Sequence, residues 1–357
     1  MKKIATVLGT RPQFIKAAAL SGELRKSFDE VIIHTGQHYD ENMSPIFFKE
    51  LSIPNPDFNL GVGSGSHGEQ TGKMLIGIAE KLSEVKPDLV LVYGDTNSTL
   101  AGSIAAAKLN IPIAHVEAGL RSYNRKMPEE INRVVTDELS TLLFCPTKTA
   151  VDNLKKEGIT KGVFFTGDVM HDQILSNLEK TKESKILEEL LLKPKSYLYA
   201  TIHRPENTDV PENLRGIFTA LEEAGESIVL PLHPRTKAAL TRVNLRPTAN
   251  IRIIEPVGYL DNLFLEANAK KILTDSGGIQ KEAYFLKIPC ITLRNETEWP
   301  ETTKSGWNIL VGADKEKIKK AIKTFAPSGI QKNYFGDGKA SKEIVDLINT
   351  FLKEEKE

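Results

Sequence analysis

The sequence predicts an α/β protein made of two doubly wound, Rossmann-like parallel-sheet domains facing a cleft. Short apolar, β-branched runs such as Leu89–Tyr93 and Lys271–Thr274 have the length and composition of strands buried on both faces. Each run ends in a polar turn rich in glycine, carboxylates or histidine, and a helical segment follows, as in successive βαβ units. The rhythm breaks at a charged stretch near residues 179–196 and then starts again, so the unit is built twice. A chain of 357 residues has room for two domains of ordinary size.

Composition narrows the function classes. Lys plus Arg and Asp plus Glu both number 47, so no global field favours nucleic acid or an acidic membrane surface. Apolar residues at 40% and charged residues at 26% describe a globular chain, and no apolar run approaches the ~18–20 residues of a membrane span. The opening MKKIATVLGTRP breaks at Gly9-Thr10-Arg11-Pro12 and reads as a first strand rather than a leader. Cys145 and Cys290 lie far apart in apolar contexts, which predicts buried free thiols in a reducing cytoplasm. No Cys/His cluster has metal-ligand spacing, so no metal is expected.

In order, Ile4–Leu8 is the first strand, and Gly9 to Lys16 turns it into a helix reaching about Lys26. Such a turn presents backbone N–H groups to an anion, with Arg11 and Lys16 as added cations, although an ordinary tight turn reads the same way. Glu30–His34 is the second strand and ends in a polar loop containing His38. The glycine-rich stretch 54–72 is expected to be a mobile loop at the cleft, before a helix over Glu69–Leu82. Strands follow at Leu89–Tyr93, Ile111–His115, Thr141–Cys145 and Gly162–Thr166, separated by helices. In the second half, strands are expected at Tyr197–Thr201, Ser227–Leu230, Ile251–Ile254, Lys271–Thr274 and Pro289–Leu293. Helices near Pro211–Glu223, Tyr259–Asn268, Lys315–Phe325 and Lys339–Lys353 accompany them. The domains read as residues 1–180 and 181–335, with a C-terminal helix, residues 336–357.

Ligands of open α/β sheets bind beyond the carboxyl ends of the strands, so those ends are searched first. Asp95 and Glu117 each follow an apolar run, and Glu129 follows Pro128 where a helix begins. Together they suit proton transfer; singly, Asp95 could cap the helix near Ser98, and Glu129 could serve a helix dipole. In the second half, Ser276-Gly277-Gly278 leaves a buried strand and opens a helix, a turn that lets backbone approach a diphosphate. Glu282, on that helix, suits a ribose diol, and His203 with Arg204 can balance phosphate charge.

In these strand-end segments and others the chain resembles the non-hydrolysing UDP-N-acetylglucosamine 2-epimerases over nearly its whole length. The matches are GTRPQFIK at 9–16, GQHYD at 36–40, YGDTNST at 93–99, HVEAGLRS at 115–122, PEEINR at 128–133, HRPEN at 203–207, LHPR at 232–235 and TDSGGIQKEA at 274–283. The resemblance implies a GT-B type fold, with the C-terminal helix packing back on the first domain. It implies a homodimer and no cofactor. The implied reaction eliminates UDP across C1–C2, leaving a 2-acetamidoglucal, and returns UDP with the C2 proton on the opposite face. By resemblance the catalytic carboxylates are Asp95, Glu117 and Glu129, with their individual roles unassigned. Phosphate and uridine contacts fall on Arg11, Lys16, His203, Ser276, Gly278 and Glu282; His203 is counted with the catalytic residues. A second substrate site would use Gln37, Arg204 and His233, but Asp40 stands where members with that site carry an amide.

The chain departs from the family pattern at Trp299, where an arginine is usual, and at Asn262, usually aromatic. Its GTRPQFIK and ETEW segments look like the branch that epimerises UDP-2,3-diacetamido-2,3-dideoxyglucuronate, the main alternative substrate. More distant readings are a GT-B glycosyltransferase, a hydrolysing epimerase and a nucleotide-sugar sensor.

Overall fold

The computed structural model describes residues 1–37, 51, 53–327 and 330–354, so His38 and Asp40 lie outside the described residues. The chain divides into two units, Met1–Leu175 with Asn333–Glu357, and Ser176–Lys332.

In the first unit the strands are β1 (Lys3–Leu8), β2 (Asp29–His34), β3 (Phe58–Asn59), β4 (Leu89–Tyr93), β5 (Ile113–Val116), β6 (Leu142–Cys145) and β7 (Val163–Phe165). They form one parallel sheet in the order β3-β2-β1-β4-β5-β6-β7. Strand order therefore reverses between β1 and β4, where Ile4 registers with Leu89 and Val7 with Val92. At such a switch point the following helices diverge to opposite faces and leave a crevice at the strands' carboxyl ends. Ala5, Val7, Val90 and Val92 pack with Met74 and Ile78 of the helix His67–Val85. Each fully buried valine, isoleucine or methionine here contributes roughly 1.5–3 kcal/mol relative to exposure. The last helix, Ala340–Glu354, belongs to this unit and packs on the helix Arg11–Leu24. Asp172 accepts from its first free donors, Ala340 N at 3.2 Å and Ser341 N at 2.7 Å.

The second unit repeats the plan with β8 (Leu198–Thr201), β9 (Ile228–Pro231), β10 (Ile251–Ile254), β11 (Lys271–Thr274), β12 (Cys290–Thr292) and β13 (Asn308–Leu310). Its parallel order is β10-β9-β8-β11-β12-β13, with the switch between β8 and β11. Alternate side chains serve opposite faces: Leu198 and Ala200 join one apolar cluster, Tyr197 and Tyr199 the other. This double burial explains the unbroken apolar runs of the sequence.

Two local expectations change. Part of the stretch expected to be a mobile loop is ordered structure: β3 pairs with β2, and Ser66 caps a helix that starts at His67. β13 was not expected, because a three-residue strand carries too little periodicity to register.

Candidate active site

The turn from β1 into the helix Arg11–Leu24 is tied to the end of β4 by one side chain. Gln13 Oε1 accepts from Gly9 N at 2.8 Å and Thr10 N at 3.1 Å, while its Nε2 donates to Tyr93 O at 2.8 Å. Gly9 is required by close approach: a Cβ there would stand 1.9 Å from Ser98 Oγ and 2.3 Å from Thr35 Oγ1. Gly94, at φ +61°, then makes the turn that delivers Asp95.

Asp95 and Glu117 emerge from the adjacent strands β4 and β5, and each is held by a cation. Asp95 Oδ2 accepts from Arg133 Nη2 at 2.5 Å, and Glu117 Oε1 accepts from Lys16 Nζ at 2.7 Å. The two residues are neighbours in space, since a Cβ on Gly94 would lie 3.2 Å from Lys16 Nζ and 3.6 Å from Glu117 Oε1. Thr96, not Asp95, caps the helix Asn97–Lys108, accepting from Thr99 N through its hydroxyl, so capping does not account for Asp95. Glu117 sits at φ +74°, a left-handed conformation costly for a non-glycine residue and typical of functional sites. Glu129 is half-buried in the first turn of the helix Pro128–Leu139 and forms no ion pair with another described residue.

A buried polar layer supports these carboxylates. His115 Nδ1 lies 2.7 Å from Asp137 Oδ1 and its Nε2 2.8 Å from Gly94 O, joining β5 to the turn before Asp95. Asp137 Oδ2 accepts from Gly119 N at 3.1 Å and Arg121 Nη1 at 2.7 Å. Glu130 accepts from Ser122 N, Tyr123 N and Arg133 Nη1, each at 2.9 Å. Burial raises the Glu130 pKa, but the Ser122 N–H, the Arg133 guanidinium and the other donors outweigh it and hold the carboxyl below its usual range. Gln37, a residue of the expected second site, has its Oε1 occupied by Ser98 N at 2.9 Å and Ser98 Oγ at 2.7 Å.

In the second unit one fully buried carboxylate, Asp275, organises the switch point. It follows β11 and accepts from His203 N at 3.0 Å, Arg204 N at 2.9 Å and Asn207 Nδ2 at 3.0 Å. Next to it Ser276 caps the helix Gly277–Phe285. The helix N-terminus and its dipole thus stand at the end of β11, with no Cβ on Gly277 or Gly278 to keep an anion away. The His203 ring lies 5.4 Å from that of His233. Burial lowers the His203 pKa, aided by Arg204 and Arg235 and opposed by Asp275. His233 caps the helix Pro234–Arg242 by accepting from Arg235 N at 3.1 Å. Trp299 is buried, with Lys281 Nζ 4.1 Å from its ring centroid and its Nε1 3.6 Å from the position of a Cβ on Gly277. Arg294 holds Glu298 through two bonds of 2.9 and 2.7 Å.

The structure thus gathers Lys16, Asp95 and Glu117 in the first unit. In the second it gathers His203, Arg204, His233 and the Ser276-Gly277-Gly278 turn. Arg11 opens its helix beyond β1, and Glu282 lies one turn into the helix that Ser276 caps. Lys16 spends its charge on Glu117. Sequence reasoning missed Asp275, Arg133, Glu130, His115 and Asp137, all buried partners of the rim residues. Asp275 had a signal, a carboxylate directly after a strand, as at Asp95; the others sit inside strands or helices with nothing to mark them. Cys145 and Cys290 are buried free thiols, and burial pushes Cys290 up to about 12. Among the described residues no helix is long and apolar enough to cross a membrane.

Comparison with known proteins agrees with this geometry. The family model described as UDP-N-acetylglucosamine 2-epimerase matches residues 22–349. A UDP-N-acetylglucosamine 2-epimerase homolog of Methanococcus maripaludis is 59% identical over 97% of this chain and 99% of its own. A UDP-2,3-diacetamido-2,3-dideoxy-D-glucuronate 2-epimerase of Pseudomonas aeruginosa is 46% identical over 97% of this chain and 99% of its own. The crystal structure of the Methanocaldococcus jannaschii UDP-GlcNAc 2-epimerase, in complex with UDP-GlcNAc and UDP, superposes with a TM-score of 0.91 at 49% identity, covering 98% of this chain and 99% of that one. A calicheamicin glycosyltransferase shares the fold alone, at TM-score 0.53 and 11% identity over 98% of this chain and 94% of that one, in keeping with the GT-B type. With a family model spanning most of its length and relatives this similar, the chain belongs to the UDP-N-acetylglucosamine 2-epimerase family.

Proposed function

We propose that the protein is a non-hydrolysing UDP-GlcNAc 2-epimerase that interconverts UDP-GlcNAc and UDP-ManNAc. The observation that carries this reading is the pair Asp95 and Glu117, two cation-held carboxylates on adjacent strand ends. The second unit supplies nucleotide contacts: the Ser276-Gly277-Gly278 turn and His203 for the diphosphate, and Glu282 for the ribose. Arg11 adds a cation for phosphate. The first unit supplies proton transfer. In the forward direction a carboxylate takes the C2 proton, the C1–O bond to UDP breaks, and C1=C2 forms. UDP then returns to C1 as a carboxylic acid delivers a proton to the other face of C2. Asp95, Glu117 and Glu129 share the base and acid roles. Lys16 and Arg133 hold the Glu117 and Asp95 carboxylates in place, and a departing diphosphate is stabilised by helix N–H groups and His203. A homodimer in the cytoplasm is part of the same reading and rests on the family resemblance.

UDP-2,3-diacetamido-2,3-dideoxyglucuronate is the second reading, favoured by Trp299 and by the Pseudomonas aeruginosa relative. One experiment tests both. The protein is incubated with each UDP-sugar in deuterated water and followed by NMR. Deuterium at C2 of UDP-GlcNAc with UDP-ManNAc accumulating is the expected result. Exchange on the uronate alone transfers the assignment to that substrate. Free ManNAc, or no exchange on either sugar, refutes the epimerase reading.

A further inference from the structure

The helix Pro128–Leu139 grips the segment that carries Asp95 with two consecutive residues. Arg133 Nη2 meets the Asp95 carboxylate at 2.5 Å. Asn132 Nδ2 donates to the Asp95 main-chain oxygen at 2.9 Å and to Asn97 Oδ1 at 3.2 Å. Asn132 is buried and stands three residues after Glu129, so the two are neighbours one turn apart on the helix. The donor to Asp95 is thus borne by the helix that carries a second carboxylate of the proposed reaction. Asn97 and Asn132 are neutral amides and cannot themselves exchange a proton with C2.

The orientation of each amide follows from the acceptors at the two ends of a hydrogen-bonded chain. At one end, Gln70 Nε2 donates to two main-chain oxygens, Gln37 O at 3.0 Å and Gly63 O at 2.8 Å. Carbonyl oxygens only accept, so a flipped Gln70 would set oxygen against oxygen twice. Gln70 Oε1 is therefore turned to Asn97, whose Nδ2 donates to it at 2.9 Å. At the other end Asp95 O fixes Asn132 in the same way, and the second Asn132 N–H meets Asn97 Oδ1. Asn97 is determined from both sides. Its remaining N–H points to Nδ1 of the exposed His67 at 3.1 Å, which must accept and so leaves the ring proton on Nε2. Gln70, Asn97 and Asn132 are all buried, and turning any one of them strands donors or acceptors in the interior. The chain of amides is a strut with one permitted orientation.

We propose that Asn132 is a positioning residue: it sets the Asp95 turn against the helix of Glu129, so that the two carboxylates keep a fixed spacing around the reacting carbon. The inference rests on the reading that these carboxylates act at C2. Proton transfer depends steeply on the distance between the group and the carbon, so the spacing has to be held through the whole cycle. Arg133 cannot do this alone. Its hold on Asp95 is an ion pair, which weakens whenever Asp95 carries a proton. The bond from Asn132 goes to the main chain from which the carboxylate hangs and does not depend on its charge. An aspartate at position 132 would have the same shape and the opposite polarity, with an oxygen facing Asp95 O and Asn97 Oδ1, both acceptors.

The test uses the full-length protein, turnover and C2 exchange in deuterated water with the UDP-sugar that the wild type exchanges, and calorimetric titration with UDP. Asn132→Asp is expected to lower kcat and exchange about a hundredfold, the cost of a reacting group displaced by about 1 Å. KM and UDP affinity are expected to stay within about twofold, because no substrate contact is lost. Asn132→Ala, which removes the donors without adding repulsion, is expected to lower kcat about tenfold with the same split. 15N NMR of histidine-labelled protein, with the His67 signals assigned by their loss in His67→Asn, is expected to show the neutral ring protonated on Nε2. In Asn132→Asp, Asn97 turns to donate to the new carboxylate, and the His67 proton is expected to move toward Nδ1. An aspartate variant with wild-type kcat overturns the proposal, as does a loss carried by KM or UDP affinity with kcat unchanged. A wild-type His67 protonated on Nδ1 overturns the amide orientation on which the proposal is built. Should Asn132→Asp not fold, Asn132→Ala and the wild-type spectrum decide. Asp95→Asn is measured in the same series: if it exchanges at the wild-type rate, the reading of Asp95 as a proton-transfer residue fails, and the positioning role with it. Normal exchange in Asn132→Asp alone, with Asp95→Asn inactive, refutes only the role of Asn132.

Discussion

The two switch points share a strand order and differ in what occupies them. At the ends of β4 and β5, beside the first switch point, the chain places carboxylates and sets cations against them: Lys16 on Glu117, and Arg133 on Asp95 and on the buried Glu130. Between β8 and β11 the arrangement is inverted, with a carboxylate, Asp275, buried underneath and backbone N–H groups turned to it from the His203-Arg204 loop. In the proposed function the first crevice moves protons and the second receives an anion. The lesson is that a doubly wound sheet fixes only where chemistry happens. The sign of the charge left at the strand ends determines which chemistry.

The sharpest way to break this contrast is to remove ionisation at one end of it. Asp95→Asn keeps shape and loses the carboxylate, so C2 exchange should fall about a thousandfold, as for loss of a positioned acid or base. UDP affinity, which the proposed function assigns to the second unit, should change less than about twofold. NMR exchange rates and calorimetry read the two quantities separately. A variant that exchanges at near wild-type rate but loses UDP would reverse the assignment of the two crevices.

The second largest effect belongs to the buried side of the comparison. Asp275→Ala leaves His203 N, Arg204 N and Asn207 Nδ2 without their shared acceptor in the interior. Stranding such donors costs about 3 kcal/mol, measurable by urea denaturation, and UDP affinity should fall with it. A variant as stable as the wild type would mean that the loop is held by something other than Asp275.

These cases also mark how far the sequence could be read. Strand ends were legible because a run such as Leu89–Tyr93 stops abruptly at Gly94-Asp95, and the same punctuation exposed Ser276-Gly277-Gly278. The double repeat was legible because both sheets are covered on both faces and their strands are uniformly apolar. The supporting layer was not. His115 lies within β5, Glu130 and Arg133 lie within one helix, and their pairing with Asp95, Ser122 and Tyr123 depends on contacts that periodicity does not encode. Glu129 drew attention because it follows Pro128 at a helix start, yet its neighbour Glu130 is the one anchored in the fold. The departure at Trp299 was legible as a substitution, but the Lys281 ammonium above its ring was not.

Glu130 offers a test of that hidden layer through pH. Its folded pKa lies below the unfolded value, so its contribution is fully present above the unfolded value of about 4.5 and is lost as pH falls through the depressed one. Glu130→Gln should therefore cost on the order of 1.5 kcal/mol at pH 7, where a charged acceptor for Arg133 and two N–H groups is lost. That deficit should shrink when denaturation is repeated near pH 3.5. An equal deficit at both pH values would show that the side chain acts by shape rather than by charge.

The smallest expected effect falls on Trp299, where the two crevices come closest to sharing a device, since each sets a cation against a site residue. Trp299→Phe keeps a ring for Lys281 and removes only the indole N–H near Gly277, so UDP affinity should fall by about fivefold, the loss of one ordinary hydrogen bond. Restoring the arginine of the family pattern should do more harm than this. Trp299→Arg sets a guanidinium where the ring now receives an ammonium 4.1 Å from its centroid, and two buried like charges repel. Thermal melts should rank wild type above Trp299→Phe and Trp299→Phe above Trp299→Arg. If the arginine variant proves the most stable, the aromatic ring is not what keeps the Lys281 charge in place.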